Sequence, residues 1–340
     1  MFGALNLKIA VLILTYNRVH LLKKCIESII NQGDHQFKLH FYISVNGPDV
    51  EAQKYLESIK NQIELTYIYS EHEIPVGEAR NKLIEMIDEE WICFLDDDIY
   101  LAPNYFKVAH EVLAKFPDID IFGGPDQNTD EANDFQSTLS LVMENFFATG
   151  PTNRRHKSVG NKITNGNEVN LILCNFWAKK SVFSIKMFPE KFRRNEENYL
   201  MAILKDRGIS MKYVPYMLVH HNRKVDFYKI IRVLYLAGLY RSVSIIYYPK
   251  SIRLIFFLHL LFLGLLILSF KISPAFGVAF SCLYLLIICF ESLKISLKLK
   301  KTKSFFLALS LFGVFNFVYP FGQLHGYAKG VYYKLNGVKF

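Results

Sequence analysis

Short apolar runs alternate with longer stretches of helical periodicity from Lys8 to about Ile121. Ile9 to Leu14 reads as a strand, Val19 to Asn31 as a helix and Phe41 to Val45 as a second strand. A helix from Glu51 to Asn61, a strand near Leu65 to Tyr69, a helix around Gly77 to Ile87 and a strand from Trp91 to Leu95 continue the pattern. Unbroken apolar runs mark strands buried on both faces, and their regular separation by helices is the signature of βαβ units. The expectation is an open, doubly wound α/β sheet, mostly parallel, whose ligands sit beyond the carboxyl ends of the strands.

The pattern then loosens. Gly123 to Ser158 is rich in Gly, Pro, Asn, Asp and Thr, with one helix expected near Phe135 to Phe147, and reads as a loop-dominated substrate region. A strand is expected over Val169 to Trp177, a helix over Glu196 to Arg207 capped by Gly208, and a last strand over Met211 to Val219 closed by His220 and His221. Phe227 to Tyr240 places Phe227, Ile230, Ile231, Leu234 and Gly238 at helical spacing with Lys229 and Arg232 elsewhere. That pattern fits a helix lying on a membrane surface or one packed on the domain.

Three apolar stretches follow, at about 252–270, 273–291 and 304–322, each near the lower length limit for a membrane span. Asn316 and Pro320 are expected to interrupt the third. The chain therefore divides into a catalytic domain (1–223), an amphipathic interfacial helix (224–250) and a membrane region (251–340).

Composition sharpens this picture at two points. Hydrophobic residues make up 51% of the 340-residue chain, and the excess is concentrated after Ile252, as lipid-embedded segments require. The net charge of +9 suits nucleic acid, an anionic membrane or a phosphorylated substrate. Its densest run, Lys294, Lys298, Lys300, Lys301 and Lys303, lies between two apolar segments, which favours the cytoplasmic side of a multi-pass cell-membrane protein over nucleic acid. The five cysteines have no C-x-x-C spacing, so neither a disulfide framework nor a zinc site is expected, and no signal peptide is recognisable.

The chemistry concentrates at strand ends. Asn17 and Arg18 follow the first strand, Asn46 and Gly47 the second, and Asp96-Asp97-Asp98 the fourth. Three adjacent carboxylates repel one another unless a cation sits among them, and Mg²⁺ or Mn²⁺ suits such a site because these ions complete their shell with substrate phosphates. A solvated acidic turn is the alternative for the triplet alone.

Thr15-Tyr16-Asn17-Arg18, then Pro75-Val76-Gly77-Glu78-Ala79-Arg80-Asn81 opening a helix, then the triplet, resemble the donor site of family 2 glycosyltransferases of the GT-A fold. The resemblance covers roughly Lys8 to Arg223. It implies a GT-A type nucleotide-binding domain with a mostly parallel mixed sheet, followed here by a C-terminal α-helical membrane region. Thr15, Asn17, Arg18, Asn46, Gly77, Arg80, Asn81, Asp96 and Asp97 are then expected around the nucleotide-sugar donor, with Asp97 in a supporting role. Asp96, Asp98 and His221 are expected on the metal. Glu196-Glu197 resembles the family's Glu-Asp motif, whose second acid is the general base, and Glu in place of Asp leaves Glu197 and Glu196 both open for that role. Gly124 and Asn175 resemble acceptor-side positions.

Two departures carry information. Val45-Asn46-Gly47-Pro48-Asp49 lacks the Asp that many relatives carry before Asn-Gly, so UDP, GDP and TDP donors all stay open. The Gln-x-x-Arg-Trp motif of processive synthases is absent, since the only tryptophans are Trp91 and Trp177. The resemblance thus implies non-processive, inverting transfer of a sugar to a hydroxyl of a lipid-linked or cell-surface glycan acceptor at the cytoplasmic membrane face, a step of polysaccharide biosynthesis. A nucleotidyltransferase of related architecture and a non-catalytic membrane scaffold are the alternatives.

Overall fold

A computed structural model describes residues 7–33, 37–223 and 225–339; the first and last residues of the expected 1–223 and 251–340 domains, and Lys224 opening the middle one, lie outside it. The elements in chain order are β1 (Leu7–Thr15), α1 (Val19–Ile30), β2 (Phe37–Asn46), α2 (Val50–Ile59), β3 (Glu64–Ser70), α3 (Val76–Met86), β4 (Trp91–Asp96), β5 (Ile99–Leu101), α4 (Tyr105–Lys115), β6 (Ile121–Gly123) and β7 (Asp126–Asn128). There follow α5 (Asp134–Met143), α6 (Phe146–Thr149), β8 (Thr164–Asn165), β9 (Asn175–Lys179), α7 (Glu196–Asp206), β10 (Met211–Tyr213) and β11 (Val219–His221). The chain ends in α8 (Phe227–Tyr247), α9 (Leu258–Ile272), α10 (Pro274–Leu299), α11 (Lys303–Gly313) and α12 (Tyr319–Leu335).

Contacts divide these into two units, one of residues 1–129 and 157–222 and the other of 130–156 and 223–339. The first is a mixed α/β unit. Its main sheet has the order β3-β2-β1-β4-β9-β6-β10-β8, with β1, β2, β3 and β4 parallel and β9 antiparallel to both β4 and β6. A second, three-stranded sheet has the order β5-β11-β7.

β1 shows why the apolar run is continuous. Ile9, Val11 and Ile13 point into one core with Leu22, Cys25 and Ile26 of α1, while Ala10 and Leu12 point into the other with Leu83 and Ile84 of α3. A strand flanked by two parallel neighbours and covered by helices on both faces has no solvent side to make polar.

The later strands are shorter than the sequence pattern suggests. The stretch expected as a strand over Val169 to Trp177 begins with turns, Leu171 N–H donating to Asn167 O at 3.0 Å, and pairs only from Asn175 onward. The strand expected over Met211 to Val219 is split. Met217 N–H donates to Val214 O at 3.1 Å across Pro215, whose ring nitrogen has no hydrogen to offer a ladder, so β10 stays in the main sheet and β11 joins the second one.

The other unit is helical. The sequence assigns 123–158 to a substrate loop, but α5 and α6 belong to this unit: Leu139, Val142 and Ala148 share a core with Ile288, Leu311 and Phe312. Asn145 Nδ2 donates to Glu291 Oε2 at 2.6 Å and Thr138 Oγ1 to Ser304 Oγ at 3.0 Å. α8 also differs from the expected interfacial helix. Gly238 through Ile245 are buried without interruption, which a helix resting on a surface cannot achieve, so the amphipathic description fits only its first half. Glycines cause this enclosure. A Cβ at Gly322 or Gly326 would strike the carbonyl of Tyr235 or Leu239, and one at Gly238 the carbonyl of Tyr319, so α8 and α12 approach backbone to backbone.

Nor do Asn316 and Pro320 interrupt the last apolar segment. Lys303–Leu335 is one helical run with a π-helical turn over Val314–Val318. The wide turn absorbs the bond that Pro320 cannot donate, and Asn316 Nδ2 donates to Phe312 O at 2.9 Å. Together with α8, Leu254–Ile272 and Pro274–Leu299, this run makes four helices among the described residues that are long and apolar enough to cross a membrane, one more than the sequence suggests.

Candidate active site

The second sheet explains how residues far apart in sequence meet. β4 ends at Asp96, the chain turns through Asp97 and Asp98, and β5 begins at Ile99. Antiparallel pairing sets Ile99 opposite His221, so the imidazole arrives beside Asp98. Asn222 N–H donates to Asp98 O at 2.7 Å and locks this register. His221 Nε2 lies 3.1 Å from Asp98 Oδ1, and one ligand atom each from Asp96, Asp98 and His221 fall within 4.8 Å of one another. Two carboxylates and an imidazole are a hard oxygen and nitrogen donor set that fits Mg²⁺ or Mn²⁺.

The triplet is electrically strained in its own right. Asp97 is fully buried, and burial pushes its carboxyl up to about 7 even though the Arg18 guanidinium, 2.6 Å from its Oδ1, pulls the other way. Burial and the Asp98 charge raise Asp96 as well. Arg18 also donates to Asp98 Oδ2 at 3.1 Å; burial works against its charge, but the three aspartates outweigh that and raise its pKa. Such a cluster favours positive charge at its open end, where Asp96 is part-exposed.

Arg80 approaches from α3. Its Nη1 lies 2.7 Å from Glu196 Oε1 and its Nη2 3.9 Å from Asp96 Oδ1, with the guanidinium over the Phe188 ring. Glu196 is thus committed to a buried ion pair at the first turn of α7. Glu197, the next residue, accepts from Asn198 Nδ2 at 2.8 Å.

Several expected donor residues prove to hold loops in place. The Asn46 amide donates to Ile74 O at 2.9 Å and accepts from Ile74 N–H at 3.0 Å, pinning the segment that enters α3. Asn81 does the same to Phe188, at 3.0 Å in both directions. Asn17 adopts a left-handed φ of 52° and donates its N–H to Asp49 Oδ2 at 2.7 Å, while Asp49 Oδ1 caps α2 through Ala52 N–H at 3.0 Å. Thr15 is buried at the end of β1. Gly77 is required by packing: a Cβ there would lie 2.7 Å from Pro189 O.

On the acceptor side the same holds. Gly124 is packed against the Met217 and Val214 carbonyls, and Asn175 is fully buried. The Asn175 amide donates to Met217 O at 2.6 Å and Pro125 O at 3.1 Å and accepts from Tyr105 Oη at 2.8 Å. Both residues therefore join the two sheets beneath the site.

One residue escapes the sequence pattern. Asp126, fully buried on β7, lies 2.8 Å from His221 Nδ1, and Cys174 Sγ lies 3.7 Å from the same Asp126 oxygen and 3.8 Å from the same nitrogen. Its only sequence signal is a carboxylate directly after Gly123-Gly124-Pro125.

A parallel half-sheet that delivers an acidic triplet to a histidine on a small second sheet is the layout of a GT-A glycosyltransferase. The family model for glycosyl transferase family 2 matches residues 10–185, just over half of the chain, which therefore belongs to that family. No curated protein matches in sequence. Among solved structures, the mannosyltransferase PcManGT from Pyrobaculum calidifontis in complex with GDP-Man and Mn²⁺ is similar, with TM-score 0.57 and 12% identity over 96% of this chain and 87% of that one. S. aureus TarS 1–349 in complex with UDP-GlcNAc aligns with TM-score 0.53 and 11% identity over 98% and 93% of the two chains. GalNAc-T7 with UDP, GalNAc and Mn²⁺ aligns with TM-score 0.50 and 13% identity over 72% of this chain and 51% of that one. The chain spans 43% of a longer TarS chain. At these identities the likeness establishes the fold.

The Arg80–Glu196 pair yields a stability test. Glu196→Ala leaves a buried guanidinium uncompensated and is expected to destabilise the fold by about 3 kcal/mol, as broken buried pairs do. Glu197→Ala is expected to change it by less than about 1 kcal/mol. Denaturant unfolding of both variants measures the difference, and equal losses would refute the structural assignment of Glu196.

Proposed function

We propose that the chain transfers one sugar from a nucleoside diphosphate donor to an acceptor hydroxyl with inversion at the anomeric carbon. The observation that carries the reading is the convergence of Asp96, Asp98 and His221 at the carboxyl end of β4. Those three residues would hold Mg²⁺ or Mn²⁺, which when bound neutralises charge on the departing diphosphate. Arg18, half-exposed and paired through both Nη atoms to Asp97 and Asp98, adds positive charge beside the same phosphates.

Glu197 is the general base, because Glu196 is engaged with Arg80 at 2.7 Å. The acceptor oxygen attacks the anomeric carbon from the face opposite the nucleotide, the nucleoside diphosphate leaves, and the acceptor proton passes to Glu197. A single displacement with a single base inverts the configuration. The Asn46 and Asp49 side chains each hold backbone groups and keep further hydrogen-bonding positions, so the base of the nucleotide meets Asn46, Asp49 or backbone, and UDP, GDP and TDP sugars remain the donor class.

In this reading Leu254–Ile272, Pro274–Leu299 and Lys303–Leu335 cross the cell membrane while α8 stays on its cytoplasmic side with the catalytic unit, where nucleotide sugars are made, and the acceptor is a lipid-linked or cell-surface glycan of polysaccharide biosynthesis. The lysine run joining α10 to α11 supports that orientation.

Two experiments test this reading. In a screen of nucleotide sugars with and without membrane lipid extract, the wild type releases nucleoside diphosphate only with Mg²⁺ or Mn²⁺. Asp98→Ala abolishes release, and Glu197→Gln lowers kcat by roughly 10²- to 10⁴-fold. Pyrophosphate as the product would indicate nucleotidyl transfer instead. In a Cys282→Ser background on intact cells, a membrane-impermeant thiol reagent labels Ser273→Cys and spares Lys300→Cys; the reverse pattern contradicts the orientation.

A further inference from the structure

We infer that Asp126 is a positioning residue for the donor site, fixing the His221 ring so that its Nε2 lone pair faces Asp98. The inference rests on the proposed metal-binding role of Asp96, Asp98 and His221. The two ring nitrogens have different neighbours: Nδ1 lies 2.8 Å from Asp126 Oδ2, and Nε2 lies 3.1 Å from Asp98 Oδ1. A neutral imidazole carries one N–H, and a carboxylate can only accept. A cation shared with Asp98 needs the Nε2 lone pair, so the single N–H of the neutral ring lies on Nδ1, where Asp126 accepts it. With the opposite tautomer the ring would present an N–H to a cation.

Burial argues that this is the purpose of Asp126. It is fully enclosed, and a carboxylate withdrawn from water costs stability unless strong donors compensate it. β7 and β11 run parallel with Asp126 opposite Val219 and His221 opposite Asn128, so the pairing holds carboxylate and ring at a constant offset.

The other neighbour, Cys174, could make the same pocket a soft-metal site with Asp126 and His221. Against this, Cys174 Sγ–H is directed at Asp126 Oδ2 at 3.7 Å, in the manner of a second N–H, and the pocket between them is already filled by that contact and by His221 Nδ1.

The test is a double-mutant cycle on the full chain in detergent, with Mn²⁺ titrated in the presence of UDP, GDP and TDP in turn, and free Mn²⁺ read by electron paramagnetic resonance. Asp126→Asn is expected to weaken Mn²⁺ binding by about 10- to 100-fold, as loss of a ligand's hydrogen-bond partner does, and to have no effect in a His221→Ala background. Equal losses in both backgrounds, or no loss in either, would overturn the inference. Cys174→Ser retains wild-type affinity; loss of binding there would move the metal to the Cys174 side and overturn it too. Absence of Mn²⁺ binding by the wild type with UDP, GDP and TDP alike defeats the donor-site reading itself. Should Asp126→Asn not fold, ¹⁵N chemical shifts of His221 in wild type saturated with Mg²⁺ and nucleoside diphosphate decide the matter: a ring with its hydrogen on Nδ1 alone supports the inference, and a ring protonated at Nε2, alone or together with Nδ1, contradicts it.

Discussion

Three carboxylates in succession at the end of a buried strand form the constraint on which this catalytic unit depends. Asp97 cannot reach solvent, Asp98 scarcely can, and their mutual repulsion has to be met by positive charge. The fold meets it from several directions. Arg18 comes from the β1–α1 turn and Arg80 from α3, while His221 comes from the second sheet as a neutral ring whose lone pair serves a shared cation. Two of these groups are themselves braced, Arg80 by Glu196 and His221 by Asp126. The result is a corner with negative charge toward its open end and cations behind it, suited to a divalent ion shared with phosphate oxygens.

Bracing also explains the many amides and glycines around the site. Asn46, Asn81 and Asn175 each use a side-chain amide as a substitute for a strand partner, satisfying backbone groups of loops that have no ladder of their own. Gly77, Gly124 and the α8–α12 glycines serve the complementary purpose, letting backbone come where a side chain would exclude it. Loops made rigid in this way can hold catalytic groups to the tolerance that direct displacement needs.

The legible part of the sequence was the part governed by local pattern. β1 to β4 and their helices could be read because buried parallel strands leave unbroken apolar runs, and the triplet stood out because such a cluster of charge is costly. The second sheet was illegible: β5, β7 and β11 have three residues each, too few for periodicity, and Pro215 hid the split between β10 and β11. Asp126 was missed for the same reason, since its partner His221 lies 95 residues away and only the sheet joins them. Asn46, Asn81 and Asn175 stood out as polar positions, but the loops they pin were not legible, because sequence does not reveal that a polar side chain turns back onto the main chain. For α8 the helix was evident, yet its enclosure depends on glycines of α12 some 80 to 90 residues on, which the periodicity of α8 alone cannot show.

The central claim is that Asp96, Asp98 and His221 share one divalent cation. Anomalous scattering at the manganese edge, from crystals of the full chain grown with Mn²⁺ and a nucleoside diphosphate, locates that ion directly. A single strong peak bounded by Asp96, Asp98 and His221 Nε2 is the predicted result. A peak between Asp126 and Cys174, or none at the triplet while nucleotide is bound, would contradict it.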